Sequence, residues 1–291
     1  MSYIDFLQRI RTLVVVAMFA DEVLRDRLVL KGGNLLDLVY DLSARSSVDI
    51  DFSIEGDFSE PDELARRIER TLQAAFVGGD YVPFDFSFRE VPPVISEDLK
   101  DFWGGYKVEF KLISRQQYES LRGDINQIRR NAQPLGKRGS SKFSIDLSKH
   151  EFCAGKVKYQ LEQQLIYGQS PQMFVCEKLR AICQQMDDYR ETVKKHRALR
   201  ARDFVDIYVV ADFFRIDFST EEFKTILKQT FASKRVPLKL VRCLEAEREV
   251  HRDDFESVRA TVKPDFRLQD YDYYFDFVVN RCLLLEPLGD E

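Results

Sequence analysis

The fold is decided by a short stretch of the chain, Val48-Asp49-Ile50-Asp51-Phe52-Ser53-Ile54. Its apolar residues alternate strictly with polar ones, which predicts a β-strand that is buried on one face and presents Asp49 and Asp51 from the other. Two residues advance a strand by about 6.6 Å, so both carboxylates can reach the same divalent cation. Oxygen ligands suit Mg²⁺, which keeps further positions for water and substrate phosphates. We therefore predict a Mg²⁺ or Mn²⁺ site here, although an acidic pair alone is more often plain surface charge.

A glycine turn precedes the acidic strand. The chain runs from an apolar segment at 28–30 through Lys31-Gly32-Gly33-Asn34 into a second apolar segment at 35–39. This order predicts a strand, a tight turn and the start of a helix. Without side chains, backbone N–H groups can approach an anion closely. Because one short helix separates the turn from the acids, both can face a nucleoside triphosphate (NTP) with its metal, and the ordered set favours a site that handles phosphate.

Periodicity divides the chain into two parts. The first contains helical patterns at 3–27 and 59–77 and alternating patterns at 82–88, 106–112 and 143–147. Beyond about Tyr159 the pattern is helical, with segments at 171–186, 201–214, 219–232, 236–247, 251–261 and 270–284. We predict an α+β protein, with a mixed-sheet domain at 1–158 followed by an α-helical bundle at 159–291.

Composition excludes several classes of protein. Five cysteines without a CxxC pair, and only three histidines, argue against a zinc site or a disulfide framework. The absence of a long apolar run predicts no membrane span and a cytoplasmic protein. A net charge of −5 argues against nucleic acid as a partner. Basic residues are nevertheless concentrated at 122–142 and 190–202, either as solvated surface or as a groove for a polyanion.

Several segments together resemble a known family. Lys31-Gly32-Gly33-Asn34 and the stretch from Arg45 to Ser53 are similar to the signature of the nucleotidyltransferase AbiEii/AbiGii toxin family, a branch of the polymerase-beta-like nucleotidyltransferases. Similar segments follow in the family's order at 143–147, 177–181 and 202–208. Asn34 departs from the pattern, because the family usually has a small hydroxyl residue there. An asparagine amide can donate to a phosphate but is bulkier.

The resemblance implies a function. Such enzymes transfer a nucleotide from an NTP to an acceptor hydroxyl and release pyrophosphate, with a divalent metal. The acceptor would be an RNA end, tRNA in the first place, within a toxin–antitoxin or phage-defence (abortive infection) module, with a cognate antitoxin as a partner. Two alternatives remain open, which are nucleotidylation of a protein and a non-catalytic NTP-binding subunit. The nucleotide contacts implied are Lys31, Gly32, Gly33, Asn34, Arg45 and Lys178.

Further residues receive candidate roles. Asp146 lies on the polar face of the strand at 143–147 and is our candidate for the third metal-binding carboxylate, with Glu109 in reserve. Lys178 lies at the edge of the apolar stripe of its helix, a position from which a cation could reach the triphosphate. The resemblance assigns a functional role to Asp203, whereas Asp206 would orient the helix. The structural alternative for these two acids is an ion-pair network.

Overall fold

The computed structural model describes residues 3–42, 49–135, 140–193, 196–263 and 265–285. These residues form two compact units. The first contains residues 3–39, 49–150 and 158–168, and the second contains residues 40–42, 151–157 and 169–285. A mixed sheet in the first unit and helices in the second confirm the α+β class. The boundary was predicted between 158 and 159, whereas the sheet continues through Gly168.

A mixed sheet forms the centre of the first unit. Its strands are β1 (Leu28–Lys31), β2 (Ile50–Ile54), β3 (Tyr81–Val91), β4 (Gly105–Ser114), β5 (Phe143–Ser148), β6 (Val157–Leu161) and β7 (Gln164–Gly168). In the described chain their order across the sheet is β3-β4-β5-β2-β1-β7-β6. Strands β2 and β5 are parallel, whereas β1–β2, β3–β4 and β4–β5 are antiparallel. The sequence analysis did not predict β6 and β7, because the chain was interpreted as helical from about Tyr159 onward and both short strands lie at that transition.

The two faces of the sheet differ as the alternation predicts. The apolar side chains of β2, β4 and β5 are buried, including Phe52, Phe110 and Ile145. Helices cover this face, since the ring centroids of Phe19 and Phe52 lie 5.8 Å apart and those of Phe76 and Phe110 lie 6.4 Å apart. The helices of this unit are α1 (Tyr3–Ala20), α2 (Glu22–Arg27), α3 (Gly32–Leu38), α4 (Pro61–Ala75), α5 (Arg115–Ser120) and α6 (Ile125–Arg130). The opposite face of β2, β4 and β5 carries the polar side chains.

Two details of the first unit differ from the predicted pattern. The single helix expected at 3–27 is two helices, because the side chain of Asp21 accepts hydrogen bonds from the backbone N–H groups of Val23 and Leu24 and begins α2. Part of the basic stretch at 122–142, for which periodicity predicted no helix, forms α6 behind an equivalent cap at Asp124. In both places a capping aspartate, rather than apolar periodicity, determines where the helix starts.

The second unit is helical. It contains α7 (Pro171–Cys183), α8 (Asp187–Val193), α9 (Ala201–Phe213), α10 (Glu221–Ala232), a 3-10 helix (Leu238–Glu247), α11 (Arg248–Arg252), α12 (Phe255–Arg259) and α13 (Tyr271–Leu283). Helix α7 packs against α9 and α10, and α9 packs against α13. The segment predicted as one helix at 251–261 is divided between α11 and α12. Across the ranges described, no helix has both the length and the apolar character needed to cross a membrane.

Candidate active site

Four charged residues form a row across the polar face of the sheet. Lys31 of β1 pairs with Asp51 of β2, Asp51 pairs with Asp146 of β5, and Asp146 pairs with Lys107 of β4. Directly paired residues of neighbouring strands share a face of the sheet. Two carboxylates therefore lie side by side, with a lysine on the strand beyond each of them.

The lysines at the two ends of the row have different contacts. The Nζ atom of Lys107 lies 3.2 Å from both carboxylate oxygens of Asp146. The Nζ atom of Lys31 donates a hydrogen bond of 3.0 Å to the hydroxyl oxygen of Ser148, and this lysine is buried. The sequence resemblance singled out Lys31, but nothing in the sequence singled out Lys107, because its pairing with Asp146 depends on the register of β4 and β5.

Asp49 precedes β2 and faces the same acidic group. Its carboxyl group accepts a hydrogen bond from Ser144, the residue two positions before Asp146. Partial desolvation of the carboxyl group raises the pKa of Asp49 above its usual value, the negative charges of Asp146 and Glu109 add to the rise, and Lys107 opposes it. The residue as a whole is exposed. The desolvation concerns its carboxyl group, where neighbouring protein atoms displace part of the water. The structure thus brings Asp49, Asp51 and Asp146 together on one face.

The glycine turn lies against Asp51. Strand β1 passes directly into α3 at Gly32, whose φ of +66° lies in the left-handed region that favours glycine. A Cβ atom at this position would lie 3.1 Å from the Oδ2 atom of Asp51. The absence of a side chain at Gly32 therefore allows the turn and the carboxylate to approach each other, as the order of the motifs suggested. Gly33 follows as a partly exposed residue of α3.

Asn34 has a different position from the one predicted. Its side chain is fully buried, and its Nδ2 atom donates a hydrogen bond of 2.5 Å to the backbone carbonyl oxygen of Asp49. The Oδ1 atom accepts from Arg11, 3.4 Å away, and Arg11 forms an ion pair of 2.7 Å with Asp37. A buried amide engaged on both sides does not reach a phosphate, so this placement argues for a positioning role. Arg11 is a charged residue on the otherwise apolar stripe of α1. This pattern is visible in the sequence, but it was not used to select Arg11 as a candidate.

The register favours Asp146 over Glu109 as the third carboxylate. Asp146 is the direct neighbour of Asp51, whereas Glu109 pairs with Ser144 one strand further from β2. Glu109 is also engaged with Lys142, with an N···O distance of 3.1 Å. The choice of Asp146 stays a prediction that the geometry supports.

The donor atoms of this site fit a divalent metal in part. Asp49 and Asp51 offer carboxylate oxygens, which suit an ion that keeps several waters and binds substrate phosphates. Asp146 is engaged by Lys107. Within the described ranges, no group of three or more His, Cys, Asp or Glu side chains is arranged to hold a metal ion. Asp49, Asp51 and Asp146 therefore stay the predicted ligands, and what supports them is that their carboxyl groups share one face of the sheet.

Lys178 and Asp203 meet within the second unit. The Nζ atom of Lys178 lies 2.8 Å from Asp203 and 3.2 Å from Asp206, and all three side chains are buried. Burial opposes the ionisation of Asp203, but Lys178, Arg200 and Arg202 together hold its pKa far below the usual range. The ion-pair network considered from the sequence is present, and the roles predicted for Lys178 and Asp203 towards the nucleotide stay predictions.

The remaining sequence candidates are the basic residues. Arg45 lies outside the described residues. In the first basic run, Arg129 forms an ion pair with Asp85, and Lys142 forms one with Glu109. In the second, Arg190 and Arg197 both contact Asp187. Part of the charge that suggested a groove for a polyanion is thus paired within the described residues.

Paired aspartates on one face of a mixed sheet, beside a glycine turn, form a candidate site of the kind expected in a nucleotidyltransferase. The profile of the family described as "Nucleotidyl transferase AbiEii toxin, Type IV TA system" matches residues 14–280. The chain belongs to this family and is a nucleotidyltransferase. The resemblance inferred from the sequence is confirmed.

Solved structures with a similar chain path are distant in sequence. JHP933 from Helicobacter pylori is 13% identical, with a TM-score of 0.49 over 97% of this chain and 89% of that one. An antigenic nucleotidyltransferase-like protein from Paracoccidioides brasiliensis is 15% identical, with a TM-score of 0.35 over 89% of this chain and 94% of that one. No curated protein matches significantly.

Proposed function

We propose that this protein transfers a nucleotide from an NTP to the end of an RNA, with tRNA as the first candidate, in a reaction that depends on Mg²⁺. One observation carries the proposal. Asp51 and Asp146 are paired on adjacent parallel strands, and Asp51 lies against the turn at Gly32. The reaction needs one carboxylate to bind the metal of the metal–triphosphate complex and another to accept the proton of the acceptor hydroxyl. Asp51 and Asp146 are two neighbouring carboxylates beside a turn that has no side chain at Gly32.

The three aspartates have different proposed roles in the reaction. Asp49 and Asp51 would hold Mg²⁺, which when bound neutralises charge on the triphosphate. The acceptor oxygen forms a bond to the α-phosphorus, and the bond from this phosphorus to the bridging oxygen on the β-phosphate side breaks. Pyrophosphate leaves with that electron pair. Asp146, which is about one-third exposed, is positioned to accept the hydroxyl proton.

The RNA acceptor has two supports. The family resemblance implies it, and positive charge continues from the acidic pair towards the edge of the sheet. Lys107 pairs with Arg89 of β3, whose side chain is half exposed. Its guanidinium group lies 3.8 Å from Glu109, and β4 separates Arg89 from Asp146, so this half-exposed cation could contact a phosphate of the nucleic-acid backbone next to the acceptor. A type IV toxin–antitoxin family also implies a cognate antitoxin, which we propose as the physiological partner.

Transfer of label from each of four NTPs into total cellular RNA and protein tests the proposal. We expect labelled RNA from the wild type, none after chelation of Mg²⁺, and none from Asp51→Asn. Asp85→Asn is the matched control, since Asp85 is an aspartate of the same sheet that pairs with Lys111 and Arg129. Undiminished transfer by Asp51→Asn would overturn the site. Label in protein alone would overturn the RNA acceptor and favour nucleotidylation of a protein.

A further inference from the structure

We propose that Arg11 is a positioning residue of the acidic site. Together with Asp37 it orients the side-chain amide of Asn34, and this amide in turn holds the segment that carries Asp49. The inference rests on the proposed function, since Asp49 is one of the predicted metal ligands. It adds a buried ion pair between α1 and α3 on which metal binding depends.

The guanidinium group of Arg11 is held at each of its three nitrogen atoms. The Nε atom donates a hydrogen bond of 3.4 Å to the backbone carbonyl oxygen of Leu7 in the same helix. The Nη2 atom donates to Asp37 at 2.7 Å, and the Nη1 atom donates to the Oδ1 atom of Asn34 at 3.4 Å. The side chains of Arg11 and Asp37 are only 3% and 8% exposed, so little water competes for these contacts. The guanidinium group therefore has a defined position between the two helices.

Arg11 determines which way the amide of Asn34 points. A guanidinium group has donors only, so the amide oxygen faces it and the amide nitrogen faces the backbone carbonyl oxygen of Asp49. If the amide were turned by 180°, its oxygen would face the carbonyl oxygen and its nitrogen would face the guanidinium group. Asn34 is fully buried, which makes an unmatched donor or acceptor costly. The two contacts together therefore specify one orientation.

The ion pair between Arg11 and Asp37 is better explained by orientation than by stability. Taking both charges out of water has a cost that their mutual attraction does not always offset, and hydrophobic side chains of similar size often stabilise a protein interior equally well. Hydrophobic side chains cannot, however, donate a hydrogen bond to Asn34. A hydrophobic pair at positions 11 and 37 should therefore separate stability from the orientation of the amide.

The contact reaches the acidic site because Asp49 is held at two points. Its backbone carbonyl oxygen accepts from Asn34, and its carboxyl group accepts from Ser144 of β5. Loss of the Asn34 contact would release the backbone end. A less restrained carboxylate loses more conformational freedom when a metal ion binds, which lowers the affinity for the ion. Arg11 thus acts on metal binding through Asn34 and does not itself touch the metal or the reacting atoms.

Binding of Mn²⁺ alone, measured by the electron paramagnetic resonance signal of the free ion, tests the proposal without any turnover. The hydrophobic-pair variant, Arg11→Met with Asp37→Val, leaves neither charge buried without the other. We expect its midpoint of urea denaturation to stay close to that of the wild type. Its affinity for Mn²⁺ should fall about tenfold, and that of Asn34→Ala should fall to the same extent, as is typical when a group that orients a metal ligand is lost.

Combining the two changes shows whether Arg11 acts through Asn34. If it does, the hydrophobic-pair variant that also carries Asn34→Ala should bind Mn²⁺ no more weakly than Asn34→Ala alone. Independent effects would instead multiply to about 100-fold and would overturn the inference. Wild-type affinity in the folded hydrophobic-pair variant would also overturn it. Circular dichroism verifies folding, and Arg11→Leu with Asp37→Ala replaces the first pair if that pair does not fold.

Arg67→Met is the matched control for a lost ion pair. Arg67 lies on α4 in the same unit and pairs with Asp21 at 2.9 Å, with side chains that are 25% and 11% exposed. We expect a lower midpoint of urea denaturation and an unchanged affinity for Mn²⁺, because neither residue contacts Asn34. An equal loss of affinity in Arg67→Met would show that destabilisation alone weakens metal binding, and it would overturn the inference.

The failure of the inference can be distinguished from that of the proposed function. If the wild type binds Mn²⁺ and the hydrophobic-pair variant binds it equally well, the inference fails and the proposed function stands. If the wild type binds no Mn²⁺, the metal assignment of the proposed function is overturned, and the inference with it.

Discussion

The side-chain amide of Asn34 donates a hydrogen bond to the backbone carbonyl oxygen of Asp49, with an N···O distance of 2.5 Å. The contact links the helix after the glycine turn to the segment that enters the acidic strand. Arg11 supports it from the other side, because its guanidinium group contacts both Asn34 and Asp37. Buried residues behind the glycine turn therefore help to determine the position of Asp49.

Asn34→Ala should lower the rate of nucleotide transfer by about 100-fold, because a displacement of about 1 Å in a reacting group can cost that much. It should also lower the free energy of unfolding by about 1–3 kcal/mol, since a buried carbonyl loses its donor. Asn131→Ala is the matched control, as Asn131 donates the same kind of bond, 2.9 Å long, on the exposed surface. Equal activities of the two variants in a labelled-NTP assay would contradict the positioning role of Asn34.

Gly32→Ala tests the close approach of the turn to Asp51. The added Cβ atom would lie 3.1 Å from the carboxylate oxygen, so the carboxylate must shift and transfer should fall by at least about tenfold. Gly56→Ala is matched for strain, because Gly56 has a φ of +64° but nothing within 4 Å of the added atom. Both variants should lose about 1–2 kcal/mol of stability in urea denaturation. Loss of transfer in both, or in neither, would contradict the proposed contact.

Asp146→Asn and Glu109→Gln distinguish the two candidates for the third carboxylate. Removal of the group that accepts the hydroxyl proton should cost about 10²–10⁴ in rate. We expect this loss for Asp146→Asn. The transfer rate of Glu109→Gln should stay within a few-fold of the wild type, because Glu109 pairs with Ser144 and is not a strand partner of Asp51 or Asp146. Single-turnover transfer rates provide the measurement. The reverse order of the two rates would reassign the role to Glu109.

The sequence was sufficient for the acidic strand and the turn, because their signals are local. Alternation places Asp49 and Asp51 on a polar face, and two glycines between apolar segments mark a turn. The contact between Gly32 and Asp51 depends on how β1 pairs with β2, and the pairing of Asp51 with Asp146 depends on the register of β2 and β5, which are far apart in the sequence. A period-two pattern predicts that a strand has two faces but not which neighbour it pairs with.

The same limit explains why the sequence did not reveal the contact of Lys107 with Asp146 and why it misplaced the side chain of Asn34. Lys107 looks like an ordinary exposed position of an alternating strand until β4 is placed beside β5. Asn34 was assigned to phosphate from its place after the glycines, and only the packing of α1 shows that its amide is buried beneath the turn. Side-chain direction at a helix start depends on what packs against it, which local sequence does not reveal.

Lys178→Met should destabilise the second unit. The ammonium group of Lys178 is buried between Asp203 and Asp206, and its removal leaves two carboxylates without that partner. Loss of one member of a buried ion pair costs about 3–5 kcal/mol, which chemical denaturation would measure. Lys224→Met is the control, because Lys224 pairs with the exposed Glu221 and should change stability by less than about 1 kcal/mol. A folded Lys178→Met variant of normal stability but without transfer activity would instead favour the contact with the triphosphate predicted from the sequence.

His251 should make the stability of the second unit depend on pH. Its side chain is fully buried, and burial lowers its pKa to about 4, with Arg197 and Arg200 adding to the effect and Asp203 opposing it. Because the ordinary pKa of histidine is about 6.5, the unfolded chain binds a proton between pH 6.5 and pH 4 that the folded chain does not. The contribution of neutral His251 to the free energy of unfolding is thus fully present above pH 6.5 and decreases as the pH falls, by up to about 1.4 kcal/mol per pH unit.

The His251→Asn variant lacks the titrating group. Its free energy of unfolding, measured by urea denaturation, should therefore fall less steeply than that of the wild type between pH 6.5 and pH 4. The depressed pKa of Asp203 remains in both proteins and cancels in the comparison. His196→Asn is the control, because His196 is exposed, and its free energy of unfolding should depend on pH as steeply as that of the wild type. Equal slopes for the wild type and both variants would show that His251 is not held in its neutral form.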